Sequence, residues 1–446
     1  MATSLQRTGR TQNISGSAPS TAELFTKPRL RELTMKTVFA VGFWAALFSC
    51  TLLAQTPAGW PQWRGPERDG MAAATPEWPA TLDEGRLTLS WQVELGPSYS
   101  GPVVDDRHVY TTSTRDAQDE VVYAFDRRTG KEVWQAKWSG AMQVPFFAAS
   151  NGSWIRATPA IADNRLYVAG MRDLLVCLDT DNGKEIWRVD FVKQFNSPLP
   201  SFGFVSSPLV DGDHLYVQAG GGVVKLNRAD GNILWRTAED GGGMDGSAFS
   251  SPVIAKLAGK RQLIVQTRLE LKGIDLESGK QIWSQQIEAF RGMNILTPVV
   301  VDDTLFTSAH SGSTQRWKVT PSEGEWKLDE MWDLNAQAYM SSPVVIDGHA
   351  YLHLRNQRLA CINLATGEQA WRTRPFGRYW SLAYQGDKIL ALDENGTLRL
   401  IAADPGEFRI LSERKVGDQE AWAHVAVCGG QVFVRELGRL SVFDWK

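Results

Sequence analysis

The sequence predicts an all-β chain: an eight-bladed β-propeller of four-stranded antiparallel blades, its ring closed by an N-terminal strand that completes the last blade. Three observations carry this expectation. First, a block that opens on Ser/Thr-Pro and closes on Gly-x-x-x-Trp recurs along the chain, as in TPAIADNRLYVAGMRDLLVCLDTDNGKEIWR from Thr158, SSPLVDGDHLYVQAGGGVVKLNRADGNILWR from Ser206 and SSPVVIDGHAYLHLRNQRLACINLATGEQAWR from Ser341. Four short strands repeated every 40 to 50 residues or so are the mark of a propeller. Second, 40 Gly and 18 Trp in 446 residues point to many tight turns and one aromatic used repeatedly for packing. Third, the ends of the array are complementary. The last repeat reaches Lys446 after three strands, and an unpaired Trp strand, LTLSWQVEL around Trp91, precedes the first. Together they make one whole blade and leave no open edge, which a linear solenoid does not explain.

Within each block an apolar run follows the Pro, an Asp-Gly-type turn leads to an alternating strand such as LYVAG, a second such as LLVCLD follows, and a Gly turn precedes the Trp strand. The openings are Pro102, Pro159, Pro208, Pro252, Pro298 and Pro343, with degenerate copies near Ser381 and Val425. The closings end at Trp134, Trp187, Trp235, Trp283 and Trp371, with a looser copy at Trp332. The Gly supplies the positive φ of the turn, and the Trp is large enough to cover the seam between neighbouring blades.

Ahead of the repeats, residues 1–34 are polar and aperiodic, which reads as disorder or as a start codon placed too far upstream. Met35, Lys36 and the apolar run from Val38 to Leu53 form a signal peptide over 35–54, with cleavage after Ala54. That run falls short of the roughly 20 residues a membrane span needs. Cys50 after Leu47, Phe48 and Ser49 loosely resembles a lipoprotein cleavage site, although Phe48 suits one poorly. Residues 55–86 are an N-terminal extension and 87–446 the propeller. Export implies a periplasmic or secreted protein with no transmembrane domain after cleavage. A net charge of −3 offers no footing for nucleic acid. Cys177, Cys361 and Cys428, one per apolar stretch, read as buried thiols rather than a disulfide framework or zinc site.

The Ser/Thr-Pro openings, Asp-Gly turns and TGKxxW closings resemble the pyrroloquinoline-quinone-like propeller repeat over about residues 87–446. The segment WPQWRGPERDG, Trp60 to Gly70, with FSSPVI at Phe249 and NILTPVV at Asn294, is similar to exported bacterial members of that superfamily. The superfamily holds both quinoprotein dehydrogenases and outer-membrane-assembly factors of the BamB type, so the resemblance implies the fold and leaves the function open.

First strands line the channel of a propeller, so aligned positions form rings. The residues just before each Pro are mostly small: Gly101, Thr158, Ser207, Ser251, Thr297 and Ser342, with Trp380 and His424 in the degenerate copies. Two positions earlier, on the same strand face, stand Tyr99, Arg156, Val205, Phe249, Ile295, Met340, Arg378 and Trp422. Tyr99, Arg156, Phe249, Asn294, Arg378, Trp380 and Trp422 are therefore the candidate residues of a ligand site at the channel mouth. Arginine pairs with carboxylates and stacks on rings, so the set suits a flat or anionic ligand, a quinone included; it equally suits a plain plug. Long connections over 136–156, 190–205 and 237–248, containing VPFFAASNGSWIR, FNSPLPSFGF and EDGGGMDGSA, gather binding potential on one face.

The resemblance implies that a quinoprotein dehydrogenase would add a carboxylate base, a cation held by oxygen ligands and usually adjacent cysteines. Asp245, Glu288 and Asn294 lie in suitable loops, but no two cysteines are adjacent and most other acids sit at hairpin turns. His349 and His353 fall on a strand rather than a zinc-binding helix, and DTDNGK at Asp179 reads as a turn. No catalytic or metal-ligating residue is therefore named. The leading expectation is an exported, non-enzymatic propeller that holds a ligand or envelope protein partner on its loop-rich face. The alternatives are an oxidoreductase using pyrroloquinoline quinone and calcium, and a BamB-like outer-membrane assembly factor.

Overall fold

The structure is a computed structural model describing residues 59–446, apart from 245, 247, 323 and 324. The expected 1–34 segment, the 35–54 leader and Asp245 lie outside the described residues. The repeats fold as expected into eight four-stranded antiparallel sheets. Blade 1 holds strands Val103–Val104, His108–Arg115, Asp119–Asp126 and Glu132–Ser139. Blades 2 to 7 open on Ala160–Ala162, Leu209–Asp211, Val253–Leu257, Val299–Val301, Val344–Ile346 and Trp380–Gln385. First strands of neighbouring blades touch one another, which puts them innermost. The alternating strands bury apolar side chains between blades, for example Val168, Val176 and Leu178 of blade 2 against Val122 and Trp134 of blade 1.

Closure follows the sequence expectation. Blade 8 contributes Ala426–Cys428, Gln431–Glu436 and Arg439–Trp445, and Leu87–Glu94 pairs antiparallel with the last of these, Trp91 opposite Val442. Cys177, Cys361 and Cys428 are buried free thiols in three different blades.

The Trp of one blade docks on the closing turn of the next. The Trp134 indole N–H donates to Thr180 O at 2.8 Å, Trp187 to Arg228 O at 3.2 Å, Trp235 to Leu276 O at 3.3 Å and Trp332 to Leu364 O at 2.7 Å. Trp91 repeats this across the closure, donating to Arg127 O at 2.9 Å. The glycine of each turn lies under the indole: a Cβ on Gly183 would stand 2.4 Å from Trp134, and one on Gly130 2.5 Å from Trp91. Close approach, as well as positive φ, therefore demands glycine there. Trp283 departs from the pattern and donates to Gln262 Oε1 in its own blade at 2.8 Å. The next blade has strands Thr314–Ser322 and Glu325–Leu334 where blades 1 to 4 and 6 carry an Asp/Asn-x-x-x-Gly turn.

The small inner ring has a chemical role besides its size. Gly101 N–H donates to Thr158 Oγ1 at 3.1 Å, Thr158 N–H to Ser207 Oγ at 3.0 Å, Ser207 N–H to Ser251 Oγ at 2.9 Å and Thr297 N–H to Ser342 Oγ at 3.1 Å. In the degenerate repeats the direction reverses, Trp380 N–H donating to Ser341 Oγ and Val425 N–H to Ser381 Oγ, both at 3.1 Å. Hydroxyls thus staple neighbouring blades where main-chain groups would otherwise be buried without partners.

The extension ahead of the first repeat closes the channel. Trp60 and Val104 exchange main-chain hydrogen bonds, and Ile161 N–H donates to Pro61 O at 2.8 Å. Arg68, 3% exposed, donates to Pro208 O at 2.8 Å and Ser207 O at 3.1 Å, and Arg64, 1% exposed, donates to Pro343 O. Trp63 Nε1 donates to Thr297 Oγ1 at 3.1 Å, with its ring edge-on to His424, and Gly70 O accepts from Tyr384 N–H at 2.9 Å. The segment Trp60 to Gly70 therefore bridges seven of the eight blades, as a structural brace through the axis.

Candidate functional site

Trp63 is also the floor of a cavity of about 950 Å³ at the end of the channel where the first strands begin. The strand register places its walls. Tyr99, Arg156, Val205, Phe249, Ile295, Met340 and Trp422, the residues three before the blade openings, all line it. Loops add Phe147, Phe202, Arg268, Phe290, Arg291 and Tyr339.

The rings form a nearly continuous aromatic band. Tyr99 stacks on Trp422 at 4.7 Å, Tyr379 meets Trp422 edge-on at 4.7 Å, and Tyr379, Tyr339, His310 and Phe290 follow at 5.8, 4.9 and 5.4 Å. On the other side Phe147, Phe202 and Phe249 run on at 6.3 and 5.4 Å. Arginines sit among the rings: Arg156 lies over Tyr99 at 5.9 Å, Arg268 over Phe249 at 4.9 Å and Arg291 over Phe290 at 5.1 Å. Each gains from the negative ring face while keeping its charge. Arg156 is held by Trp154 O at 3.2 Å and Gly152 O at 2.9 Å. Burial lowers its pKa to about 10, which leaves it cationic at neutral pH. Burial, reinforced by Glu420, pushes the Tyr99 phenol well above its ordinary value, so it stays neutral and can donate to Glu420 Oε2 at 3.3 Å. The described lining includes three arginines and no carboxylate.

Of the sequence-derived candidates, Tyr99, Arg156, Phe249 and Trp422 come together on this wall, and Asn294, Arg378 and Trp380 do not. Asn294 is fully buried and braces its own loop, its amide donating to Arg268 O at 3.0 Å and Ile287 O at 3.3 Å. Arg378 is exposed, its main chain tied to Glu394 at 2.7 Å. Trp380 begins its own strand and is buried inside the ring, stacked on His353 at 4.9 Å. The repeat there lacks the Pro that opens six of the others, and in it the aligned positions do not reach the wall. Alignment of the openings could not reach Trp63, Phe147, Phe202, Arg268, Arg291 or Tyr339, which lie outside the aligned rings. The aromatic loops and the WPQWRGPERDG segment were the available signals for Trp63, Phe147 and Phe202.

Among the described residues, which do not include Asp245, the set does not fit a quinone with calcium. Calcium wants six or more oxygen ligands, several of them carboxylates. Among the described residues no group of three or more His, Cys, Asp or Glu is placed to hold a metal. Glu288 is exposed and outside the lining, and Asn294 points its amide nitrogen at carbonyls.

Residues 78–135 and 118–373 match the family model described as outer membrane protein assembly factor BamB. The chain belongs to this family. The Escherichia coli BamB is 26% identical over 342 residues, 62% of this chain and 81% of that protein. The Yersinia pestis BamB is 24% identical over 270 residues, 56% of this chain and 64% of that protein. Among solved structures, BamB from Moraxella catarrhalis aligns with a TM-score of 0.56 at 15% identity, over 81% of this chain and 98% of that one. A europium-containing methanol dehydrogenase aligns at 0.51 and 12% identity, over 87% and 98%. At such identities both structural likenesses speak for the propeller fold alone. The BamB match begins at residue 78, so Trp63 and its neighbours lie outside it.

Proposed function

We propose that this chain is an exported, periplasmic scaffold of outer-membrane assembly that docks a protein partner on the loop-rich face around the cavity mouth. The observation that carries the reading is the BamB match over most of the propeller. The surface supports it. Leu269 is 58% exposed, Phe147 50% and Phe290 47%, all in connections that line this mouth, and Phe146, 92% exposed, packs edge-on against Phe147. Large apolar side chains clustered in water are characteristic of protein interaction sites, and a rigid ring presents them without an ordering cost at each encounter. Export rests on the leader read over Met35 to Ala54, and anchoring at Cys50 is its variant. No helix among the described residues is long and apolar enough to cross a membrane.

The test is a photo-crosslinker at Phe146 in the full chain, expressed with its leader in bacteria. The expected product joins the chain to a component of the outer-membrane assembly machinery, and Phe290→Ser with Leu269→Ser should abolish it. A chain that stays in the cytoplasm, or that crosslinks to no assembly component, overturns the reading.

A further inference from the structure

We propose that the blind cavity is a binding site for a small anionic amphiphile, a molecule with one acidic head group on a flat or chain-like apolar body. The proposal goes beyond docking, which uses the rim, and does not depend on it.

Four observations converge. The cavity, about 950 Å³, is closed beneath by Trp63; pockets for small molecules run to about 300–1,000 Å³, and a brace built only to fill the axis would leave no such space. Its walls are apolar, with Val144, Val205, Ile295 and Met340 alongside the aromatic band. The hydroxyls of its base are few, and Ser207, Ser251 and Ser342 each already accept an inter-blade main-chain bond, which leaves each chiefly its O–H to offer. A sugar or a polycarboxylate would need many polar partners and finds few. Finally, Arg156 and Arg291 bring cationic charge into the described lining. The described lining has no carboxylate, Arg291 makes no ion pair with a described residue, and Arg156 uses Nε and Nη2 on carbonyls while Nη1 has no acceptor among the described residues. A guanidinium among rings, in a site of reduced dielectric, favours one anionic head group while the rings take the body.

The experiment titrates the full chain with two anionic probes, 1-anilinonaphthalene-8-sulfonate and dodecanoate, with dodecanol as the uncharged counterpart of the second. One equivalent of the fluorescent sulfonate should bind, dodecanoate should displace it, and dodecanol should compete at least about tenfold more weakly, the loss of one charged hydrogen bond. Arg156→Gln should weaken dodecanoate by a similar factor. Arg156 also ties down its loop, so the exposed Arg291→Gln is the companion variant, expected to shift binding in the same direction with an unchanged melting temperature. Equal competition by dodecanol, wild-type affinity in both arginine variants, or sulfonate binding that dodecanoate cannot displace would each overturn the proposal. The docking test reads crosslinks from Phe146 in cells, so either proposal can fail without the other.

Discussion

Gly183→Ala tests the packing that repeats around the ring. Gly183 has φ 72°, and its added Cβ would lie 2.4 Å from Trp134 Cε3, an indole 7% exposed and hydrogen-bonded into the same turn. Gly348 is the matched control, with φ 73° and nothing within 4 Å of its Cβ. Gly348→Ala carries the left-handed penalty alone, about 1–2 kcal/mol. Gly183→Ala adds forced displacement of a buried ring, about 1–3 kcal/mol, for a total near 2–5 kcal/mol. Trp134→Ala should cost about 3–5 kcal/mol. In the double variant the added methyl has no ring to strike, so the combined loss should fall short of the sum by about 1–3 kcal/mol. Equilibrium urea unfolding of these four variants and the unsubstituted chain, followed by far-ultraviolet circular dichroism, reads each term. Equal losses for Gly183→Ala and Gly348→Ala, or strict additivity in the cycle, would refute the docking argument.

Burial lifts Glu120, which accepts from Trp138 Nε1 at 2.7 Å and Met171 N–H at 2.6 Å, to a pKa of about 7, and Asp173 to about 7 as well. Both folded values exceed the unfolded ones, so the folded state holds the extra protons and stability falls as pH rises from 4.5 (Glu120) or 3.8 (Asp173) to about 7, by up to roughly 3 and 4 kcal/mol respectively. Glu120→Gln should remove about half of that slope in melts between pH 5 and 8; an unchanged slope would assign it elsewhere. Ser207→Ala leaves the Thr158 N–H without its acceptor and should cost about 1–3 kcal/mol in urea unfolding. Deleting 87–94 uncovers the edge of Arg439–Trp445 and takes Trp91 off Gly130, so the whole ring should lose its cooperative melt, whereas deleting residues 1–34 should leave the melting temperature unchanged. A merely local loss of hydrogen-exchange protection in blade 8 would argue against shared closure.

The candidate site was legible where it depended on strand register. Tyr99, Arg156, Phe249 and Trp422 sit three residues before a blade opening, and the two-residue alternation alone turns them to one face. Asn294 was chosen from its loop, and Arg378 and Trp380 from a repeat without its Pro, and none of the three reaches the cavity. Arg268, Arg291 and Tyr339 carry no repeat signal. They reach the wall because the connections within blade 4, from blade 4 to blade 5 and from blade 5 to blade 6 meet at this end of the channel.

Blade number, strand order and closure were determined by the sequence alone, because each rests on short-range rules: alternation along a strand, a glycine with positive φ at a turn, and a count of strands at the two ends. The assignment of Trp60 to Gly70 was decided only by the tertiary structure. Arg64 finds its carbonyl at Pro343 and Trp63 its hydroxyl at Thr297, 279 and 234 residues away. No local pattern encodes a partner that distant. Folding the ring brings these groups within reach, and the same contacts make the channel a blind cavity.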